Sequence, residues 1–185
     1  MTPYELAKAE IGTVEWAQGS NPKVVAYYRD AGHSEVKDDD VAWCAAFVGA
    51  MLKRGGQLGT GALNARSYLK WGKAVAIEDA LPGDVCVIER GGSTWQGHVF
   101  FYVSQTKTHI NGLGGNQRDA VSIAAHPKPK LLGVRRSVYT DAPVVMRPVT
   151  PKPVAAHKSP NVSNKPSIWA TIIRAIVAIF KRNSP

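Results

Sequence analysis

The sequence predicts an α+β fold in which N-terminal helices pack on an antiparallel sheet. Segments suited to helices fall within residues 3–71, and segments suited to strands fall within 85–138. The strand segments follow one another across short turns, which favours antiparallel pairing. From Asp141 the composition shifts to proline and basic residues and closes on an amphipathic stretch. The chain therefore divides into a domain over 1–140, a linker over 141–166 and a C-terminal helix over 167–182.

The first helix is expected over 3–11. Thr2 can cap it, Pro3 suits the first helical position, and Glu5 completes a capping box. Further helices are expected over 21–31, 42–54 and 64–71. Asp38-Asp39-Asp40 precedes the third, and Asp40 is its expected cap. The run lacks the alternating oxygen ligands of a calcium loop, so no metal is expected there. Strands are expected over 85–90, 97–105, 108–112, 120–124 and 131–138. On a strand's period of two, His98 shares a face with Phe100 and Tyr102, while Val99, Phe101 and Val103 take the other. The glycines in Ile110-Asn111-Gly112-Leu113-Gly114-Gly115-Asn116-Gln117 then bring the chain back.

Cys44 opens the third helix, and His98, 54 residues later, sits near the start of the second strand. A thiolate is the nucleophilic form of cysteine, and helix N-terminal N–H groups and a nearby imidazolium both favour it. The same N–H groups can hold the oxyanion formed when the thiolate attacks an amide carbonyl. A histidine can then protonate the leaving amine. Cys86, inside the apolar run Asp84-Val85-Cys86-Val87-Ile88, reads as core. Two cysteines with unlike neighbours give no disulfide framework.

A third polar residue must hold the imidazole in one tautomer. Asn116, 18 residues beyond His98, is the first choice, with Asn111 and Gln117 as alternatives. Trp43, Arg66, Tyr68, Trp71 and Trp95 are candidates to line a groove, with Arg66 suited to carboxylates. Ordinary packing explains the tryptophans as well, Trp71 above all.

Four blocks in order, Trp43-Cys44-Ala45-Ala46-Phe47-Val48, Leu81-Pro82-Gly83-Asp84-Val85, Gly97-His98-Val99 and Gly114-Gly115-Asn116-Gln117, resemble the papain-like cell-wall hydrolases. The sequence is similar to the CHAP superfamily of cysteine, histidine-dependent amidohydrolases and peptidases and its NlpC-type relatives. More narrowly it resembles short single-domain phage and prophage members, which share a segment like Ala65-Arg66-Ser67-Tyr68-Leu69-Lys70-Trp71-Gly72. The resemblance covers residues 1–140. It implies a papain-like fold, Cys44 as nucleophile, His98 as base and acid, Asn116 as orienter, and no cofactor. Many members carry an acidic residue near the third position, and this chain has none there before Asp119. The family cleaves amide bonds of peptidoglycan, at the muramoyl-L-alanine bond or within the stem peptide. An endolysin is the expected role. The N-terminus lacks a signal-peptide pattern, so synthesis in a host cytoplasm and release to the wall through a holin are expected. A delivered toxin or tail-associated lysin, or a noncatalytic wall-binding or membrane-disrupting protein, are the alternatives.

Residues 141–166 hold six prolines, four basic residues and one acid, the composition of an extended linker. Beyond it, Ile168, Trp169, Ile172, Ile173, Ile176 and Phe180 share one half of a helical wheel, with Arg174, Lys181 and Arg182 opposite. The stretch is shorter than the roughly 20 residues needed to span a bilayer, so a helix lying in an interface is expected. Seven of the chain's 23 Lys/Arg but only one of its 14 Asp/Glu lie beyond residue 140. Anionic lipid or lipopolysaccharide is the expected partner of this helix, alongside peptidoglycan for the domain. The apolar face is too broad for a phosphate-binding stripe, so nucleic acid is not expected. A monomer is expected.

Overall fold

The computed structural model describes residues 1–139. The expected linker and amphipathic helix, including Ile168 to Arg182, lie outside the described residues. No described helix is long and apolar enough to cross a membrane.

Three α-helices come first: α1 (Pro3–Ala9), α2 (Pro22–Asp30) and α3 (Cys44–Arg54). The expected capping box closes α1, with Thr2 and Glu5 each bonding the other's backbone N–H. Asn21 caps α2 through Lys23 N–H at 2.9 Å. The segment expected as a fourth α-helix is a short 3-10 helix, Ala65–Lys70, capped by Asn64.

Six strands follow: β1 (Lys73–Val75), β2 (Val85–Glu89), β3 (Gly97–Gln105), β4 (His109–Gly114), β5 (Ser122–Pro127) and β6 (Leu131–Arg136). They form one sheet in the order β1-β6-β2-β3-β4-β5. Every pairing is antiparallel. The α+β class, with N-terminal helices on an antiparallel sheet, is as the sequence predicts. β1 is an addition at the sheet edge.

The sheet buries both faces. Val85, Val87, Val99, Phe101 and Leu113 meet the buried face of α3, where Phe47, Val48 and Met51 are fully enclosed. Cys86, Ile88, Phe100, Tyr102, Ile110 and Val134 form a second cluster on the other face. Cys86 is thus core, as expected. Asp84, 5 % exposed, accepts from Leu81 N–H at 2.8 Å and pairs with Arg136. The Pro-Gly-Asp turn therefore ties the start of β2 to the end of β6.

Close approach sets the residue type in the middle of β4. A Cβ on Gly112 would lie 2.0 Å from Phe100 Cδ2, deep in the second cluster. Gly112→Ala should therefore lower stability by about 1–3 kcal/mol through overpacking, measured by urea denaturation. An unchanged midpoint would show that Phe100 relocates at no cost.

Candidate active site

α3 begins without a side-chain cap: Trp43 occupies the N-cap position and Asp40 does not bond the helix. This corrects the expected capping by Asp40. The carboxylate buried in that run is Asp39, which accepts from Asn21 N–H at 2.9 Å. Residues 40–43 stay non-helical, so the first N–H groups of α3 are not taken up by a carboxylate.

Those groups face the thiol. The backbone N–H groups of Val99, Ala45 and Cys44 itself favour the charged form of the Cys44 thiol. Cys44 is only 3 % exposed. Burial pushes its pKa up, against the opposing pull of these donors and of the Arg90 charge. Burial thus favours the neutral thiol.

His98 is the residue before Val99, on the face of β3 that carries Phe100 and Tyr102, as the alternation predicts. α3 packs on the Val99 and Phe101 face of β3, whereas the His98 ring lies against Phe100 on the other face. No hydrogen bond joins the two side chains among the described residues. His98 is buried, and its pKa is lowered to about 4 by that burial first and by the neighbouring His126 second.

Gln117 holds the ring. His98 Nε2 lies 3.3 Å from Gln117 Oε1, in the role for which Asn116 was the first choice. Asn116 takes the turn instead, with φ +56, a backbone conformation that asparagine tolerates. Asn111 bonds Ser104 Oγ at 2.9 Å, away from His98. The Gln117 amide nitrogen donates to the carbonyls of Gly112 at 3.2 Å and Gly114 at 3.3 Å, and to that of Ser122. A flipped amide would set its oxygen against three carbonyl oxygens. Oε1 therefore faces His98 and accepts, which assigns the proton to Nε2 and leaves the lone pair on Nδ1.

The remaining expected groove residues separate into two groups. Trp43 is buried and does not line a groove, and Tyr68, also buried, lines a small cavity of about 150 Å³ with Ala45 and Gly49. Trp43 stacks on Tyr27, and its Nε1 donates to Glu15. The Tyr68 hydroxyl lies 3.4 Å from the Ala45 carbonyl. Arg66 donates to the carbonyls of Gln96 at 2.7 Å and Ser93 at 2.5 Å, so it braces the loop that leads into β3. Trp95, in that loop, is 66 % exposed and available to a ligand. Trp71 is half-buried and donates to the Leu58 carbonyl.

His98 opens onto a cavity of about 840 Å³ on the sheet face away from α3. Arg90, Arg118 and Lys130 line it, with Glu89 the one acid. His126 lines it too, and sequence reasoning missed this residue. The signal was there: a strand extended to residue 127 puts Ser122, Ala124 and His126 on one face.

His126 also has its pKa lowered by burial to about 4. An unfolded histidine titrates near 6.5. Between these values the unfolded chain binds protons that the folded chain refuses, so this stability is present above about pH 6.5 and lost as pH falls to about 4. Denaturant titrations across that window should show stability falling with acid. The slope should drop by about one proton in His126→Phe. Equal slopes would mean that His126 titrates alike in both states.

No family model matches the chain, and no curated protein does. Among solved structures, the chain is similar to the Mycobacterium tuberculosis peptidoglycan hydrolase RipB, at 19 % identity and TM-score 0.47. The match covers 75 % of this chain and 64 % of the RipB chain, so the chain spans less than two thirds of that structure. It is similar to the endolysin LysIME-EF1, at 13 % identity and TM-score 0.48, over 77 % of this chain and 67 % of that one. It is also similar to RipD from Mycobacterium tuberculosis, described as a non-catalytic NlpC/p60 domain protein adapted to peptidoglycan binding. That likeness has 17 % identity and TM-score 0.43, over 74 % of this chain and 98 % of the RipD chain.

Proposed function

We propose that this chain is a cysteine-dependent peptidoglycan amidase or endopeptidase of the endolysin type, with a C-terminal helix that engages membrane. The observation that carries the enzymatic reading is Cys44 at an uncapped helix start, in one domain with a buried histidine, His98, whose tautomer Gln117 fixes. The four-block sequence resemblance supports the choice of substrate.

The chemistry follows from two neutral groups. As the Cys44 sulfur attacks the amide carbonyl carbon, its proton passes to Nδ1 of His98. The Ala45 and Cys44 N–H groups stabilise the oxyanion. The C–N bond breaks, and His98 gives its proton to the departing amine, leaving a thioester. Water then attacks the thioester carbonyl, with His98 taking a proton from the water and returning it to the sulfur. Gln117 holds the Nε2 proton throughout, so Nδ1 is the atom that takes and returns each proton. An imidazole with a low pKa accepts a proton reluctantly, so the oxyanion donors carry much of the barrier reduction.

Cys44→Ser and His98→Ala should each lower hydrolysis of purified peptidoglycan by about a thousandfold or more, with no further loss in the double variant. Gln117→Ala should cost on the order of a hundredfold through the wrong tautomer. Cys86→Ser should retain most activity if it folds. The measurement is release of new amine groups, with mass spectrometry of the products to identify the bond. Activity surviving Cys44→Ser would overturn the reading.

One observation favours a second reading. Cys44 is nearly closed to solvent and makes no hydrogen bond with His98 among the described residues, as a wall-binding protein with a vestigial site would allow. Wild-type protein that sediments with peptidoglycan yet releases no amines would establish that alternative.

For the tail, the apolar half-wheel centred on Ile172, Ile173 and Ile176 supports binding to anionic lipid. Deleting residues 141–185 should leave hydrolysis of purified peptidoglycan largely intact and abolish sedimentation with anionic liposomes. Ile173→Glu should mimic the deletion, and raised salt should weaken binding. Equal liposome binding by the intact and truncated chains would sink the membrane role.

A further inference from the structure

The Gln117 carbonyl oxygen has two partners. His126 Nε2 lies 2.7 Å from Oε1, closer than His98 Nε2 at 3.3 Å. The His126 ring is held independently, stacked on Phe100 with centroids 4.4 Å apart and planes 17° from parallel. The two imidazole centroids are 5.4 Å apart. Opposite His126 in the sheet lies Ile110, so the residue is anchored by strand register as well.

We propose that His126 is a positioning residue for His98, acting through Gln117. Because the Gln117 nitrogen is committed to backbone carbonyls, His126 can only donate to Oε1, and so it too carries its proton on Nε2. Two donors converge on one oxygen. The shorter bond, from the ring pinned by Phe100, fixes where that oxygen sits. The longer bond then selects the His98 tautomer whose Nδ1 is a base. The charged groups lining the same cavity are Glu89 and Arg90 at the end of β2, Arg118 in the β4–β5 loop and Lys130 before β6. None of them hydrogen-bonds either ring among the described residues, so the hydrogen-bond coupling between the histidines runs through Gln117.

The kinetic consequence rests on the cysteine-hydrolase reading, but the tautomers do not. Long-range nitrogen–proton correlation spectra of the full-length, histidine-labelled chain at pH 7.5 should show both His98 and His126 protonated on Nε2. In His126→Phe, which keeps the stack on Phe100 but loses the donor, His98 should become a mixture of the two tautomers. His126→Gln, which restores a donor, should recover much of the Nε2 form, and it serves the same purpose if the Phe variant does not fold. Where the wild type hydrolyses peptidoglycan, His126→Phe should lower kcat by about tenfold while KM stays within about twofold. The pH at which kcat falls on the acid side should also shift. If either wild-type histidine is protonated on Nδ1, or if His98 stays wholly in the Nε2 form in the Phe variant, the proposal is overturned. A wild type that turns over no substrate sinks the enzymatic reading alone, since the spectra decide the role of His126 without turnover.

Discussion

At Gly114 and Gly115 the end of β4 lies against side chains from both faces of the sheet at once. A Cβ on Gly115 would sit 2.4 Å from the Trp43 ring and 2.7 Å from Phe47 Cβ. A Cβ on Gly114 would sit 2.9 Å from Phe100 Cβ and 3.4 Å from His98 Nε2. Trp43 and Phe47 flank Cys44, and Phe100 is two residues from His98. Only a backbone bare of side chains lets the helix start and the histidine strand close on the same point. Any larger residue there would have to displace Trp43 and Phe47 on one side or Phe100 on the other. The chain then leaves Gly115 through Asn116 in the left-handed region, and that reversal delivers the Gln117 amide to His98.

Much of this was legible in the sequence, because the local physics of caps and alternation survives in the fold. Thr2, Pro3 and Glu5 announce α1, and the alternation in 97–103 assigns His98 to the Phe100 face. What was not legible depends on tertiary contact. The three-residue edge strand β1 has two exposed residues and no apolar pattern, and it exists because β6 pairs with it. Residues 65–70 look helical in composition, yet the chain tightens into a 3-10 turn. It ends at Lys70, and two residues on at Gly72 a Cβ would lie 2.2 Å from the Arg136 carbonyl oxygen.

The third member of the site illustrates the same limit more sharply. Asparagine and glutamine offer the same amide, and the sequence places them side by side. The turn decides between them. Asparagine tolerates a positive φ better than most residues, so Asn116 is used for backbone conformation. Its neighbour is freed to point inward. Gln117 is also one methylene longer, which lets its nitrogen reach three carbonyls while its oxygen still meets two imidazoles. His126 escaped notice because β5 runs past the residue where its strand pattern gives way to Pro127.

Burial gives the site its chemical character. In an exposed cysteine–histidine pair, the helix start and the imidazolium would favour a thiolate held ready. Here desolvation raises the thiol and lowers the imidazole, so each group is pushed toward its neutral form. Moving the proton from sulfur to nitrogen then creates two buried charges. In the proposed hydrolysis that step is uphill until a carbonyl is present to accept the sulfur's electrons and spread the negative charge onto oxygen. The negative charge then meets the Ala45 and Cys44 N–H groups at the uncapped start of α3, which no carboxylate has claimed. A neutral resting pair is less open to oxidation and stray alkylation than a thiolate, because the thiolate is the reactive form. On the proposed reading, the same burial that slows the first proton transfer restricts reaction to an acceptor that can reach the buried start of α3.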